Sequence, residues 1–275
     1  MWIAIDAASG DLGYEPIVNG VGLAVKEFNA KIILVGNKEI LTELVAQHHS
    51  LATSENIIIE HSDDIVGMTD QPARAVKAKP NSSVMVCNRL VKENKAIGYF
   101  SPGNTGASMA ASLLMLGRLP GIKRPIIVVP LPRQGSGATV LLDAGANVDS
   151  KPEYLVQSAI MGEIYSRQIL GVIHPAVGIL SNGEEANKGN ELTQSVFSTL
   201  SKLPLNFVGN VEGRDLFGNG KQVDVVVCDG FIGNIVVKTI EGTAKAIFKT
   251  LKNNIETSNL AKTGALLLKP TLSAV

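Results

Sequence analysis

Short runs of β-branched and other apolar residues alternate along this chain with longer stretches of helical period. The runs at 2–6, 31–35, 56–60, 96–101, 126–130, 139–143, 177–181, 205–208 and 223–229 read as strands. The stretches at 14–28, 38–48, 72–81, 107–117, 152–170, 190–203 and 233–253 read as helices. Several strand runs, such as Val225-Val226-Val227-Cys228, are continuously apolar rather than alternating. Strands of that kind are buried on both faces, as in a mostly parallel sheet covered by helices. The pattern predicts an α/β fold with helices on both faces of the sheet, and a single domain over 1–275. No internal repeat or low-complexity linker breaks it. The segment 120–132 is rich in proline and fits a crossover between two halves, but it is too short to mark a domain boundary.

Composition narrows the function classes. With 18% charged and 45% hydrophobic residues the chain is globular rather than disordered. Lys+Arg 25 against Asp+Glu 25 leaves no net charge, so nothing argues for a nucleic-acid partner, which calls for a basic face. The 2 cysteines, Cys87 and Cys228, lie in apolar runs and read as reduced core thiols. No CxxC or HExxH spacing occurs, and no bound metal is expected. His48, His49, His61 and His174 fall in no triad context, and Gly135-Ser136-Gly137 is not a GxSxG elbow, so a covalent serine or cysteine mechanism has no support. The chain starts a strand at once, without a basic, long apolar leader, so a cytoplasmic protein is expected. No apolar run reaches the roughly 18 residues of a membrane span.

In open α/β sheets ligands gather beyond the carboxyl ends of strands. Four glycine-rich loops fall at such ends. Ser101-Pro102-Gly103-Asn104-Thr105-Gly106-Ala107 joins a strand run to an Ala/Leu/Met-rich helical run. A small-residue turn there frees backbone N–H groups and aims a helix N-terminus outward, which suits phosphate. Asn104, Thr105 and Gly106 are the candidate donors, although Asn and Thr are also ordinary N-caps. Asp143-Ala144-Gly145-Ala146-Asn147-Val148-Asp149 offers two carboxylates and an amide for polar recognition, or a turn and cap before Pro152. In Gly183-Glu184-Glu185-Ala186-Asn187-Lys188-Gly189, Lys188 can reach an anion as a point charge, or belong to a solvated charge run. The loop lacks the GxxxxGK[ST] spacing of a nucleotide-triphosphate site. Asp229-Gly230-Phe231-Ile232-Gly233-Asn234 follows a strand run; Asn234 would begin a helix, with its amide free to donate to an oxyanion. Capping alone accounts poorly for an exposed Phe231-Ile232 pair. Finally, the lysine-flanked apolar stretch 260–270, with Leu260, Leu266, Leu267 and Leu268, suits interfacial insertion or a buried helix end.

Together these residues resemble the PlsX family, the bacterial acyl-acyl carrier protein:phosphate acyltransferases. The matching stretches are Gly103-Asn104-Thr105-Gly106-Ala107, Gly121-Ile122-Lys123-Arg124-Pro125, 141–149, 157–162, Gly183-Glu184-Glu185 with Lys188-Gly189, Gly209 with Glu212, and 225–238. They run in family order across nearly the whole chain. The resemblance implies a fold like isocitrate/isopropylmalate dehydrogenases and phosphotransacetylases, and a homodimer. It implies transfer of a fatty acyl group from acyl carrier protein to inorganic phosphate, without a cofactor, by a protein held peripherally at the inner membrane through a segment matching 251–270. Under that reading Asn104, Thr105 and Gly106 bind phosphate, with Asp143, Asn147, Asp229 and Gly233 around the substrate. Lys188 neutralises phosphate or handles its proton, and Asn234 stabilises the oxyanion.

Three loops depart from the family pattern, at Ala8-Ser9-Gly10-Asp11, Pro102 and Ser181-Asn182. The family continues for tens of residues past Lys269-Pro270, so a chain lacking that C-terminal segment is expected. The rival readings are a phosphotransacetylase acting on coenzyme A thioesters and an inactive membrane-binding scaffold. A dinucleotide-dependent dehydrogenase is disfavoured, because no GxGxxG follows a strand.

Overall fold

The computed structural model describes residues 1–135 and 137–272. Ser136 of the glycine-flanked serine stretch and the final 273–275 lie outside the described residues. The chain divides into two compact units, Met1–Pro125 and Ile126–Val275, and the division falls inside the proline-rich 120–132 segment. Each unit has its own sheet.

In the first unit, strands β1 (Trp2–Asp6), β2 (Lys31–Gly36), β3 (Ile57–His61) and β4 (Tyr99–Phe100) pair in parallel in the order β3-β2-β1-β4. Around them lie α1 (Tyr14–Phe28), α2 (Lys38–Gln47), α3 (Pro72–Ala78), α4 (Ser83–Lys92) and α5 (Thr105–Met115). The two-residue period of a strand sorts its side chains to opposite faces. Ile32 and Leu34 pack with Val18, Val21 and Leu41 of α1 and α2. Ile33 and Val35 pack with Val86, Cys87 and Leu90 of α4. Both faces of β2 are therefore buried, as its apolar run requires.

Two expectations need correcting here. The predicted strand 96–101 is regular only over Tyr99–Phe100. Ala96 turns into the core, while Ile97 N–H and Gly98 carbonyl still bond Trp2 and Ala4 of β1. The helix α4 was not foreseen, since Val84-Met85-Val86-Cys87 has the composition of a strand. Its Leu90, one helical turn beyond, joins Val86 and Cys87 on a single buried face.

In the second unit, β5 (Val128–Pro132), β6 (Ala138–Leu142), β7 (Ala176–Leu180), β8 (Asn206–Val211) and β9 (Val225–Val227) form a sheet in the order β5-β6-β9-β7-β8. All pairings are parallel except β5 with β6. Pro130 and Pro132 lack N–H donors and confine β5 to the edge. Helices α6 (Pro152–Ile169), α7 (Glu191–Leu200), α8 (Gly230–Glu256) and α9 (Asn259–Leu272) complete the unit.

Val140, Leu142, Val177, Ile179, Val225 and Val227 pack with α6 and α7. Leu141 and Val226 face the other way, with Leu216 and, on α8, Val236, Val237 and Ile240. The order matters for function. The last strand, β9, is inserted between β6 and β7, and parallel pairing brings the carboxyl ends of all three to one edge.

Candidate active site

The loop after β6 is built on one buried carboxylate. Asp143 is 2% exposed. Its Oδ1 accepts from the N–H groups of Ile127 (3.1 Å), Gly145 (3.1 Å) and Ala146 (2.8 Å). Its Oδ2 accepts from Asn147 N–H (2.8 Å) and Asn147 Nδ2 (2.7 Å). Charge-assisted bonds of this kind are the strong ones. Asp143 and Asn147, predicted to touch substrate, thus spend these polar atoms on shaping the loop.

That loop lies directly on the start of α8. Asn147 carbonyl accepts the Gly230 N–H at 2.9 Å. A Cβ on Gly230 would stand 2.7 Å from the Asn147 carbonyl oxygen, and one on Gly233 only 1.9 Å from that of Asp143. No side chain fits at either position, which is why this helix starts with glycines. Asp229 is the N-cap of α8, its Oδ1 accepting Ile232 N–H at 2.9 Å. The helix therefore begins at Gly230, four residues before Asn234, the start expected from the sequence. Asn234 is exposed, on the second turn, beside Gly145: a Cβ on Gly145 would lie 3.6 Å from Asn234 Oδ1. Its side chain has no hydrogen-bond partner among the described residues, so its amide remains available.

The first turn of α8 also forms one wall of an open groove of about 540 Å³, lined by Val148, Asp149, Ser150, Asn190, Leu192, Asp229, Phe231 and Ile232. Phe231 is 55% exposed there. Beneath the turn, Cys228 is buried, and burial together with the Asp229 and Asp143 carboxylates pushes its thiol well above the ordinary range. Burial of that kind disfavours the thiolate that a covalent mechanism needs.

The loop after β7 carries Lys188, exposed and without an ion-pair partner among the described residues. Around it the chain is pinned at several points. Gly189 N–H donates to Asn182 Oδ1 (2.9 Å), Gln194 Nε2 to the Asn187 carbonyl (3.0 Å), and Arg214 pairs with Glu184 (2.8 Å). Bonding to Glu184 and the nearby Glu212 charge hold the Arg214 guanidinium above its usual pKa. The loop is exposed but carries several internal hydrogen bonds. The buried Asp215, which closes a capping box with Glu212, and Asn210 of β8 were not singled out by sequence reasoning. The family-like Gly209 and Glu212 around them were the available signal.

In the first unit, Asn104 is the N-cap of α5, accepting Ala107 N–H at 3.0 Å. Its Nδ2 donates to Met68 carbonyl at 3.0 Å. The side chain is therefore committed to capping and to the loop before α3. The Thr105 hydroxyl and the Thr105 and Gly106 N–H groups have no partner among the described residues. The residue missed here is Asp6, fully buried at the end of β1. It accepts from Ala8 and Ser9 N–H (3.2 Å each) and from Ser101 Oγ (2.7 Å), tying the departing Ala8-Ser9 loop to the one that leads into α5. A carboxylate at the end of a buried strand was its signal.

The C-terminal leucines lie on α9, with Leu260 85% and Leu267 77% exposed. The side chains of Lys269 and Pro270, which close that predicted stretch, lie outside the described residues. Among the described residues no helix is long and apolar enough to cross a membrane.

The α/β fold, with its mostly parallel sheets, is phosphotransacetylase-like. The EutD phosphotransacetylase from Staphylococcus aureus superposes with a TM-score of 0.61 over 89% of this chain and 82% of its own, at 15% identity. A branched-chain phosphotransacylase from Enterococcus faecalis V583 gives 0.57 over 88% and 84%, at 17% identity. The family model described as "Fatty acid synthesis protein" matches residues 1–275, and the chain belongs to that family. A protein named phosphate acyltransferase from Leptospira biflexa serovar Patoc is 58% identical over 275 residues, 100% of this chain and 80% of the relative.

Proposed function

We propose that this protein transfers a fatty acyl group from acyl carrier protein to inorganic phosphate, releasing acyl phosphate for phospholipid synthesis. The observation that carries the reading is the division of labour at the carboxyl edge of the second sheet. The buried Asp143 and the capping oxygen of Asp229 are consumed in holding loops, whereas the side chains of Lys188 and Asn234 are exposed with no hydrogen-bond or ion-pair partner among the described residues. A cation and an amide donor suit a reaction whose nucleophile is itself an anion. Family membership and whole-chain identity to a relative named phosphate acyltransferase support the same reading over a coenzyme A phosphotransacetylase, for which the likeness is one of fold alone.

Phosphate, largely dianionic near neutral pH, needs no protein nucleophile. A phosphate oxygen attacks the thioester carbonyl carbon and forms the new C–O bond. The tetrahedral oxyanion collapses, the C–S bond breaks, and its electron pair leaves with the carrier thiolate, which takes up a proton. Lys188 neutralises phosphate or handles its proton. The Asn234 amide and the positive end of α8 stabilise the oxyanion. Taken by itself, the first unit offers its own candidate anion donors in the Thr105 hydroxyl and the Thr105 and Gly106 N–H groups at the start of α5. Incubation with long-chain acyl-acyl carrier protein and phosphate is expected to give acyl phosphate by mass spectrometry, with little product from acetyl-CoA. Acetyl phosphate as the main product would replace this reading with the coenzyme A one, and no product from folded protein would favour the scaffold.

The exposed leucines of α9, with Lys262 beside them, support peripheral contact with the inner membrane from the cytoplasmic side. A homodimer is part of the same proposal. Replacing both Leu260 and Leu267 by Asp is expected to abolish co-sedimentation with anionic phospholipid vesicles while leaving turnover of soluble acyl-acyl carrier protein within about twofold, because hydrophobic contact is the binding force. Unchanged sedimentation would remove α9 from that role.

A further inference from the structure

The loop that carries Lys188 is held from inside the fold by one buried side chain. Asn210, near the end of β8, is 1% exposed. Its Nδ2 donates to the Glu185 carbonyl at 2.7 Å. The same carbonyl accepts the Lys188 backbone N–H at 3.0 Å. One oxygen thus joins the buried amide to the residue that carries the cation. The other pins on this loop, from Asn182, Gln194 and Arg214, are exposed to water, which competes with them.

The rest of the Asn210 side chain points the same way. The atom facing a carbonyl oxygen must be the nitrogen, so the orientation of the amide is fixed. Its Oδ1 is then buried with no hydrogen-bond partner. An unpaired buried acceptor is unfavourable, and an apolar side chain of the same shape would serve stability as well or better. The amide is kept at this position for the bond it makes to the loop.

We infer that Asn210 is a positioning residue for Lys188, fixing through the Glu185 carbonyl where the ammonium meets phosphate. The inference rests on the phosphate role proposed for Lys188, and the experiment separates the two. Asn210→Leu keeps the branching and heavy-atom count in a somewhat larger side chain and removes both the donor and the unpaired acceptor; Asn210→Ala stands beside it in case the leucine does not fit. Amide exchange at Lys188 is expected to quicken at least about tenfold in both, through loss of a shielded bond, with no fall in the unfolding midpoint of the leucine variant. The phosphate KM is expected to rise about tenfold, with kcat within about threefold. In a Lys188→Ala background, adding Asn210→Leu should leave the phosphate KM where Lys188→Ala put it, since two residues acting through one group are not additive.

If Lys188→Ala raises the phosphate KM but neither Asn210 variant does, or if exchange at Lys188 is unchanged, the positioning role is overturned and the reading of Lys188 stands. If Lys188→Ala leaves the phosphate dependence unaltered, both are overturned. Exchange at Lys188 is read without turnover, so the contact is tested even in a preparation that shows none.

Discussion

Asn234→Ala is expected to lower kcat by about 10²–10³ while leaving KM for acyl-acyl carrier protein nearly unchanged, the loss found when one donor to a tetrahedral oxyanion is removed. The variant should fold as well as the parent. Asn234 is exposed, lies within α8 rather than at its cap, and its side chain bonds to nothing among the described residues. Alanine is also the better helix former, by a few tenths of a kcal/mol per residue. A drop in kcat with an unchanged melting temperature is therefore attributable to chemistry. Asn234→Asp should be at least as damaging, because it replaces the donor with a charge that repels the oxyanion. Steady-state rates of both variants within threefold of the parent would remove Asn234 from the mechanism.

Asp143→Ala should destabilise the second unit strongly, by about 3–4 kcal/mol, the range for leaving buried partners of a charged group unsatisfied. The five N–H groups that Asp143 holds lose their acceptor together. The individual losses do not add, since an opened loop lets water reach some of the donors. The effect should be local. Amide exchange across 143–150 and the first turn of α8 should accelerate by two or more orders of magnitude, and that of β1–β3 should not change. A variant whose 143–150 amides remain protected would show that the loop is held by its seat on Gly230 and Gly233 instead.

Much of the framework was written in the sequence as period and composition. Val225-Val226-Val227 could only be an inner strand, and the Gly-rich turns after the strand runs could only be strand-to-helix junctions. The α/β class and helices on both faces followed from those. Two segments resisted. Residues 83–92 have strand-like composition at their start, and only a helix lets Val86, Cys87 and Leu90 share one core. Residues 96–101 are largely apolar but form a regular strand only over Tyr99–Phe100. Local residue types were ambiguous in both, and packing partners decided.

The site divides in the same manner. By itself the sequence determined which loops follow strand ends, because glycines, caps and strand ends are local matters, and it brought Lys188, Asn234 and Asp143 forward together as candidates. It could not say which of them are free. Only the tertiary structure decided that Asp143 and Asn104 are spent on backbone N–H and carbonyl groups, that Asp229 caps α8, and that Asn210 reaches the Lys188 loop. The reason is physical: a polar side chain is available for chemistry only when no neighbour satisfies it. For Asn210 that neighbour is 25 residues away in the chain, brought close by the pairing of β7 with β8.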